Sequence, residues 1–362
     1  MDKRHQFFLK VIRLGIGTEM PGRFTVEGQL QNKEWKEIKD LGERHGLSAI
    51  ILDGLEKAPE NLRPPKPILL QWIGDSFKGF ECRHELYKRA IAEIAAFFNS
   101  QGFKMMVLKG YACSLNWPKP EHRPCGDIDI WQFGQQKEAD AALSKEKGIE
   151  VDNSHHHHTV FYWRNFMVEN HYDFINVHHR KSNFGLEKVF KQLGADDSHF
   201  VEVYGEKVYL PSPNLHTLFI LKHTINDFAS VSITFRQLLD WAFHVQKYTD
   251  EIDWEWLTGV MKQYHMIDFF NCINAICVEE LGFPSGIFPF LHADLNVKEQ
   301  VLNDILSPDF VREEPKGLVR RLVYKYRRWQ GNAWKQELCY SESRWSAFWS
   351  GVWNHLMKPR TI

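Results

Sequence analysis

The chain has 362 residues, with 45 Lys and Arg against 46 Asp and Glu, and so a formal charge of −1. At roughly 100–200 residues per domain, that length allows two to three domains and a sizeable core. The 43% hydrophobic and 25% charged fractions exclude disordered, collagen-like and mucin-like chains, and balanced charge gives no global pull toward nucleic acid or an anionic membrane. The first residues, MDKRHQFFLKVIRLGIG, place charge before an apolar run as a signal peptide does, but Lys10 and Arg13 interrupt it and no small-residue cleavage site follows. No apolar stretch reaches the roughly 18 residues of a membrane span. The six cysteines are scattered, with no C-x-x-C pair. A cytoplasmic protein without a membrane span is expected.

Residues 1–100 read as a helical region. Trp35, Ile38 and Leu41 fall at helical spacing and His45-Gly46 supplies a stop. Pro64, Pro65 and Pro67 break the chain. Leu69, Trp72, Ile73 and Phe77 then start a second apolar stripe, and Ile91, Ile94, Phe97 and Phe98 a third, ending at Gly102. Within 101–211 the period changes to that of strands: Phe103–Gly110, a half-buried alternation over Cys125–Phe133, then Thr159–Arg164, Met167–Val177 and the hairpin-like Phe200–Leu210, with a polar helix around Gln135–Lys147. Residues 212–362 return to helical spacing, with Trp345, Trp349 and Trp353 every fourth residue as a core stripe. The predicted fold class is α+β, a mixed sheet with flanking helices between N-terminal and C-terminal helical regions.

The sharpest chemical feature is Gly126-Asp127-Ile128-Asp129-Ile130. On a strand Asp127 and Asp129 point the same way, about 7 Å apart, while Ile128 and Ile130 face the core. Two carboxylates held together repel unless a cation lies between them, and Mg²⁺ suits oxygen ligands beside substrate phosphates; two solvated aspartates at a strand end are the alternative. Glu169, His171 and Asp173 share a face of the Met167–Val177 run, so a neighbouring Glu169 would complete a three-carboxylate cluster able to hold two divalent ions. His171 reads equally as a group behind the ligands, a substrate contact or a partnered core histidine. Lys109-Gly110 sits where a strand gives way to a helix, suited to a phosphate or, as the alternative, to a salt-bridged lysine at a tight turn.

The order Leu108-Lys109-Gly110, then Arg123-x-x-Gly126-Asp127-Ile128-Asp129-Ile130, then Val168-Glu169-x-His171 resembles the uncharacterised nucleotidyltransferase family of the polymerase-β-like superfamily. The resemblance spans roughly residues 30–250 and includes His223 and Arg236-x-x-x-Asp240. It implies a polymerase-β-like core and transfer of a nucleoside monophosphate from an NTP to an acceptor hydroxyl, with pyrophosphate released. It also implies two Mg²⁺ or Mn²⁺ ions on Asp127, Asp129 and Glu169, these three being the catalytic residues. Lys109, Gly110, Arg123, Gly126, His171, His223 and Arg236 are the residues expected around the nucleotide. Many superfamily members place serine directly after the glycine of the phosphate turn; here Tyr111 follows Gly110, and Ser114 comes a helical turn later. That departure favours a non-catalytic nucleotide-binding or regulatory protein on the same fold as the rival.

Three other features compete for attention. His155–His158 offers metal ligands, or a loop with one functional histidine. Lys222, His223 and Arg236 fall on helices that wall the cleft in related enzymes, although Arg236 and Asp240 at i, i+4 can simply pair. Arg312–Lys335 interleaves basic and aromatic residues. It reads first as a solvated helix face and second as the RNA-holding surface of an RNA 3′-end nucleotidyltransferase. The acceptor is expected to be a small molecule, with a protein or RNA hydroxyl as alternatives.

Overall fold

The computed structural model describes residues 1–23, 30–178, 180–289, 291–310, 313–345 and 349. The N-terminal region folds into α1 (Lys3–Ile16), α2 (Asn32–His45), α3 (Ser48–Lys57), α4 (Lys66–Ser76) and α5 (Cys82–Ser100). Gly46 ends α2 in the left-handed region at φ 67°, where the sequence places the stop. The prolines open α4, which runs through a widened turn at Phe77–Glu81 into α5, so the second and third apolar stripes belong to one continuous helical stretch. Only part of the second stripe is used. Trp72 is buried against the core, but Ile73 and Phe77 stay exposed, because α4 packs on α3 and its own continuation alone.

The α1–α3 crossing is made by glycines. A Cβ on Gly15 would lie 2.2 Å from the Ile50 carbonyl oxygen, and one on Gly54 would lie 2.1 Å from that of Val11. The two helices therefore touch backbone to backbone, and α1 buries Phe7, Phe8, Val11, Ile12 and Leu14.

The middle of the chain supplies β1 (Met106–Val107), α6 (Lys109–Ser114), β2 (Ile128–Trp131), α7 (Gln136–Lys147), β3 (His158–Trp163), β4 (Phe166–His171), α8 (Asn183–Leu193), β5 (Phe200–Val203) and β6 (Glu206–Tyr209). Among the described residues these strands form one mixed sheet in the order β3-β4-β2-β1-β6-β5. β2 pairs in parallel with β4 and antiparallel with β1, so the strand bearing Asp129 is central; it is shorter than the predicted Cys125–Phe133, and Asp127 lies just ahead of it. The Met167–Val177 run does not continue as a strand: β4 ends at His171, where the amides of Tyr172 and Asp173 turn to donate to the His157 carbonyl. Asp173 leaves the face predicted for it and pairs with Lys191.

Helices α9 (Pro213–Ser230), α10 (Phe235–Tyr248), α11 (Trp254–Gln263), α12 (Ile267–Glu279), α13 (Leu295–Leu306), α14 (Leu318–Gly331) and α15 (Ala333–Cys339) complete the α+β fold. Alternation along the strands sends their side chains to two cores. Val107, Ile128, Ile130 and Val168 pack with Tyr87, Ile91, Ile94 and Phe98 of α5. Met106 and Trp131 join the larger core of α1, α9, α10 and α12. β2 is thus buried on both faces rather than half-buried, since the C-terminal helices cover the side that carries Asp129. Trp345 and Trp349 are exposed rather than core residues, and Trp353 and Arg312 lie outside the described residues. No residue of the basic helix α14 is buried. No helix among the described residues is long and apolar enough to cross a membrane.

The sheet and the C-terminal helices are tied by a buried ion pair. Arg123 Nε and Nη2 donate to the two carboxylate oxygens of Asp240 at 2.7 and 2.9 Å, and Trp117 Nε1 donates to the same carboxylate at 2.9 Å. Asp240 thereby takes Arg123, not the Arg236 one turn before it. Replacing Asp240 with Asn should destabilise the protein by ~3–5 kcal/mol, because it strands a buried guanidinium; a thermal melt checks this. Gly54→Ala should lower the urea midpoint, costing ~1–3 kcal/mol, because the facing element is backbone and cannot step aside.

Candidate active site

Parallel pairing sets Asp129 of β2 directly opposite Glu169 of β4, with Trp131 opposite His171. Asp129 is buried, its side chain 1% exposed against 18% for Glu169. Two neighbouring groups answer its charge. Lys109 Nζ stands 2.9 Å from Asp129 Oδ1, and His171 Nε2 stands 3.1 Å from the same oxygen and 3.7 Å from Glu169 Oε2. Burial opposes ionisation of Asp129, yet the Lys109 ammonium and the His171 ring hold its carboxyl well below the usual range. Glu169 goes the other way: burial first, then the Asp129 charge, pushes its pKa up to about 7. Two adjacent carboxylates thus have opposite tendencies, one held as an anion and one able to carry a proton near neutral pH.

The turn before α6 is strained. Lys109 has φ 30°, uncommon for a residue with a side chain, and its ammonium reaches back into the sheet to Asp129. Lys109 thus forms a salt bridge of the kind weighed from the sequence while also lining the cleft. Gly110 serves a neighbour rather than open space. A Cβ there would fall 2.4 Å from the Tyr87 hydroxyl, which donates at 2.7 Å to the Asp127 carbonyl. Tyr87, from α5, fixes the approach to β2 through the gap that Gly110 leaves. Sequence reasoning passed over it, since its helical spacing marks it only as a core aromatic.

A cleft of about 390 Å³ opens beside Asp127 and Asp129, walled by Lys109, Gly110 and Gly126 on the sheet side and by His223, Asp227 and Arg236 of α9 and α10 on the other. This lies within the ~300–1,000 Å³ usual for small-ligand sites. His223 Nε2 lies 3.4 Å from Asp227 Oδ2, and partial burial, then the Lys109 charge, lowers its pKa. Arg123 also borders the cleft, but its guanidinium is committed to Asp240. Arg236 has no salt-bridge partner among the described residues and faces the cleft, the disposition of a group that receives an anion. Lys222 is elsewhere: it is buried with its ammonium 4.8 Å over the Tyr340 ring, and burial, then Arg180, lowers its pKa to about 7.

The histidine run divides. His157 and His158 turn toward His171, with ring centroids 5.5 and 5.3 Å from it, while His155 stacks on His158 nearer the surface. Ligand atoms of Asp129, Glu169 and His171 lie within 4.8 Å of one another, and Asp129 with Asp127 lines the cleft. This carboxylate set fits a divalent cation, which would answer both the burial and the Asp129 charge that raise Glu169.

Comparison with known proteins adds three findings. No curated protein matches the chain. A solved structure, that of an antigenic nucleotidyltransferase-like protein from Paracoccidioides brasiliensis, is similar at 14% identity and a TM-score of 0.33, over 44% of this chain and 75% of the other. A family model described as uncharacterised nucleotidyltransferase matches residues 31–282, a span that contains α2 through α12, the paired carboxylates and both walls of the cleft. The chain belongs to this uncharacterised nucleotidyltransferase family.

Proposed function

We propose that the protein transfers a nucleoside monophosphate from an NTP to a hydroxyl acceptor at the cleft between the sheet and α9–α10. The observation that carries this reading is the register of β2 and β4, which sets Asp129 beside Glu169 with Asp127 at the cleft mouth. In the reaction the acceptor oxygen forms a bond to the α-phosphorus, the bond to the β-phosphate bridge breaks, and pyrophosphate departs with the electron pair. Asp127, Asp129 and Glu169 would hold Mg²⁺ or Mn²⁺, two ions in all, which lower the pKa of an acceptor hydroxyl and neutralise charge building on the leaving phosphates. The chain's own cations do the positioning. Arg236 offers a fork to phosphate oxygens from the helical wall, Lys109 offers a point charge from the sheet side, and neutral His223 offers a hydrogen bond. Glu169, beside Asp129, would hold an ion close to the acceptor hydroxyl. A small-molecule acceptor suits a cleft of about 390 Å³ that already has to take the nucleotide.

A specific observation favours a second reading, in which the protein binds nucleotide without turning it over. Lys109 and His171 already neutralise Asp129, and buried Tyr111 occupies the place of the serine usual at the phosphate turn. Pyrophosphate release from each NTP with Mg²⁺ or Mn²⁺, supplied with metabolite, protein or RNA fractions, separates the two. Transfer predicts release that Asp127→Asn reduces by at least ~10³-fold with an unchanged melting temperature, the scale on which charge-stabilising groups act. Metal-dependent NTP binding with no release from any fraction would leave the binding-only reading. Arg236→Ala should raise the NTP Kd by roughly 10-fold, the loss of one charge-assisted contact of ~1.5 kcal/mol; calorimetric titration reads it, and an unchanged Kd would remove Arg236 from the site.

A further inference from the structure

The reading above gives His157 and His158 nothing to do, yet the fold takes trouble to place them. β3 begins at His158, paired across the hairpin with His171. One residue earlier the His157 carbonyl accepts the amides of both Tyr172 and Asp173 at 3.0 Å, which fixes the other end of the same crossing. Three imidazoles from two chain segments are thereby gathered, with one ligand nitrogen from each lying within 4.8 Å of the others. His158 and His171 are buried. The Nδ1 atoms of His157 and His158 are both enclosed without a hydrogen-bond partner. A buried nitrogen with nothing to bond is uncommon in native proteins, and two side by side call for a shared partner. His171 Nδ1 lies 3.2 Å from the Asp173 carbonyl and its Nε2 lies 3.1 Å from Asp129 Oδ1, so an ion taken by Nε2 would replace the proton shared with Asp129. Glu169 Oε2 stands 3.7 Å from that Nε2 and 3.8 Å from His158 Nδ1.

We propose that His157, His158 and His171 form a transition-metal site of the zinc class, with its fourth position open toward Glu169. Three imidazoles select a borderline ion such as Zn²⁺ or Co²⁺ over Mg²⁺, which requires oxygen ligands. Coordination at ~2.0–2.1 Å would draw the nitrogens to ~3.4 Å apart, a movement within side-chain rotation. The site goes beyond the transfer reaction: it needs neither Asp127 nor a nucleotide, although it borders the same Glu169. Its ion would pin the edge hairpin β3–β4 to the strand register on which the carboxylates depend.

The test uses the full chain, free of any affinity tag and stripped with a chelator. Dialysis against Zn²⁺ with excess Mg²⁺, followed by elemental analysis, should leave one zinc per chain, and Co²⁺ should give the intense visible absorption of a tetrahedral site. His157→Gln and His158→Gln should each weaken Zn²⁺ binding by more than ~100-fold, beyond the ~10–100-fold typical of an outer partner, while His155→Gln retains it. Asp127→Asn should keep its zinc whether or not transfer occurs, so failure of the transferase reading and failure of this one are told apart. Absence of retained zinc, a weak octahedral Co²⁺ spectrum in the wild type, or zinc binding unchanged in His157→Gln and His158→Gln would each overturn the site.

Discussion

The parallel pairing of β2 with β4 is the constraint on which this molecule turns. It brings two carboxylates, Asp129 and Glu169, side by side on a face that the C-terminal helices cover. Like charges in a low-dielectric interior cannot both be left unanswered. The fold responds with Lys109 from the strained turn before α6 and with His171 from two residues along β4, and the remaining imbalance appears as the raised pKa of Glu169. A cluster arranged in this way is a candidate cation site. Its charges are opposed across short distances, and exchanging partners costs less than creating charge.

The cleft depends on contacts that hold two layers in register. Arg123, inside the motif that resembles a nucleotide-binding segment, spends its guanidinium on Asp240 and so fixes α10 over the sheet. This frees Arg236, one helical turn earlier, to face the cleft. On the opposite side Tyr87 reaches past Gly110 to hold the Asp127 backbone. The placement of Asp127 is thus supported from α5, and the placement of the opposing wall from Arg123. The family match spans both walls of this cleft, where the acidic groups of the sheet side meet His223, Asp227 and Arg236 of the helical wall.

Some elements were legible because local physics alone decides them. Alternation around Ile128 and Ile130 marked the strand that carries Asp129, although Asp127 falls just ahead of it, and Gly46 marked the helix stop. Others failed for equally physical reasons. The Met167–Val177 run has strand-like composition to its end, but the chain leaves the sheet once the His157 carbonyl captures two amides, and Asp173 goes with it to Lys191. Arg236 and Asp240 have the spacing of a helical pair, yet the bidentate fork of Arg123, from a distant segment, takes the buried Asp240 carboxylate instead.

By itself the sequence determined the class of secondary structure, the strand bearing Asp129 and the family to which the chain belongs, since period, turn residues and motif order are local properties. Only the tertiary structure decided that Glu169 lies opposite Asp129 rather than strands away, that Lys109 serves Asp129, that Arg123 is bound to Asp240, and that His157 and His158 converge on His171. Each of these is a meeting of residues far apart in the chain. Such meetings are fixed by which strands pair and which helices cover them, and that is settled by the burial of the whole core rather than by any short stretch of residues.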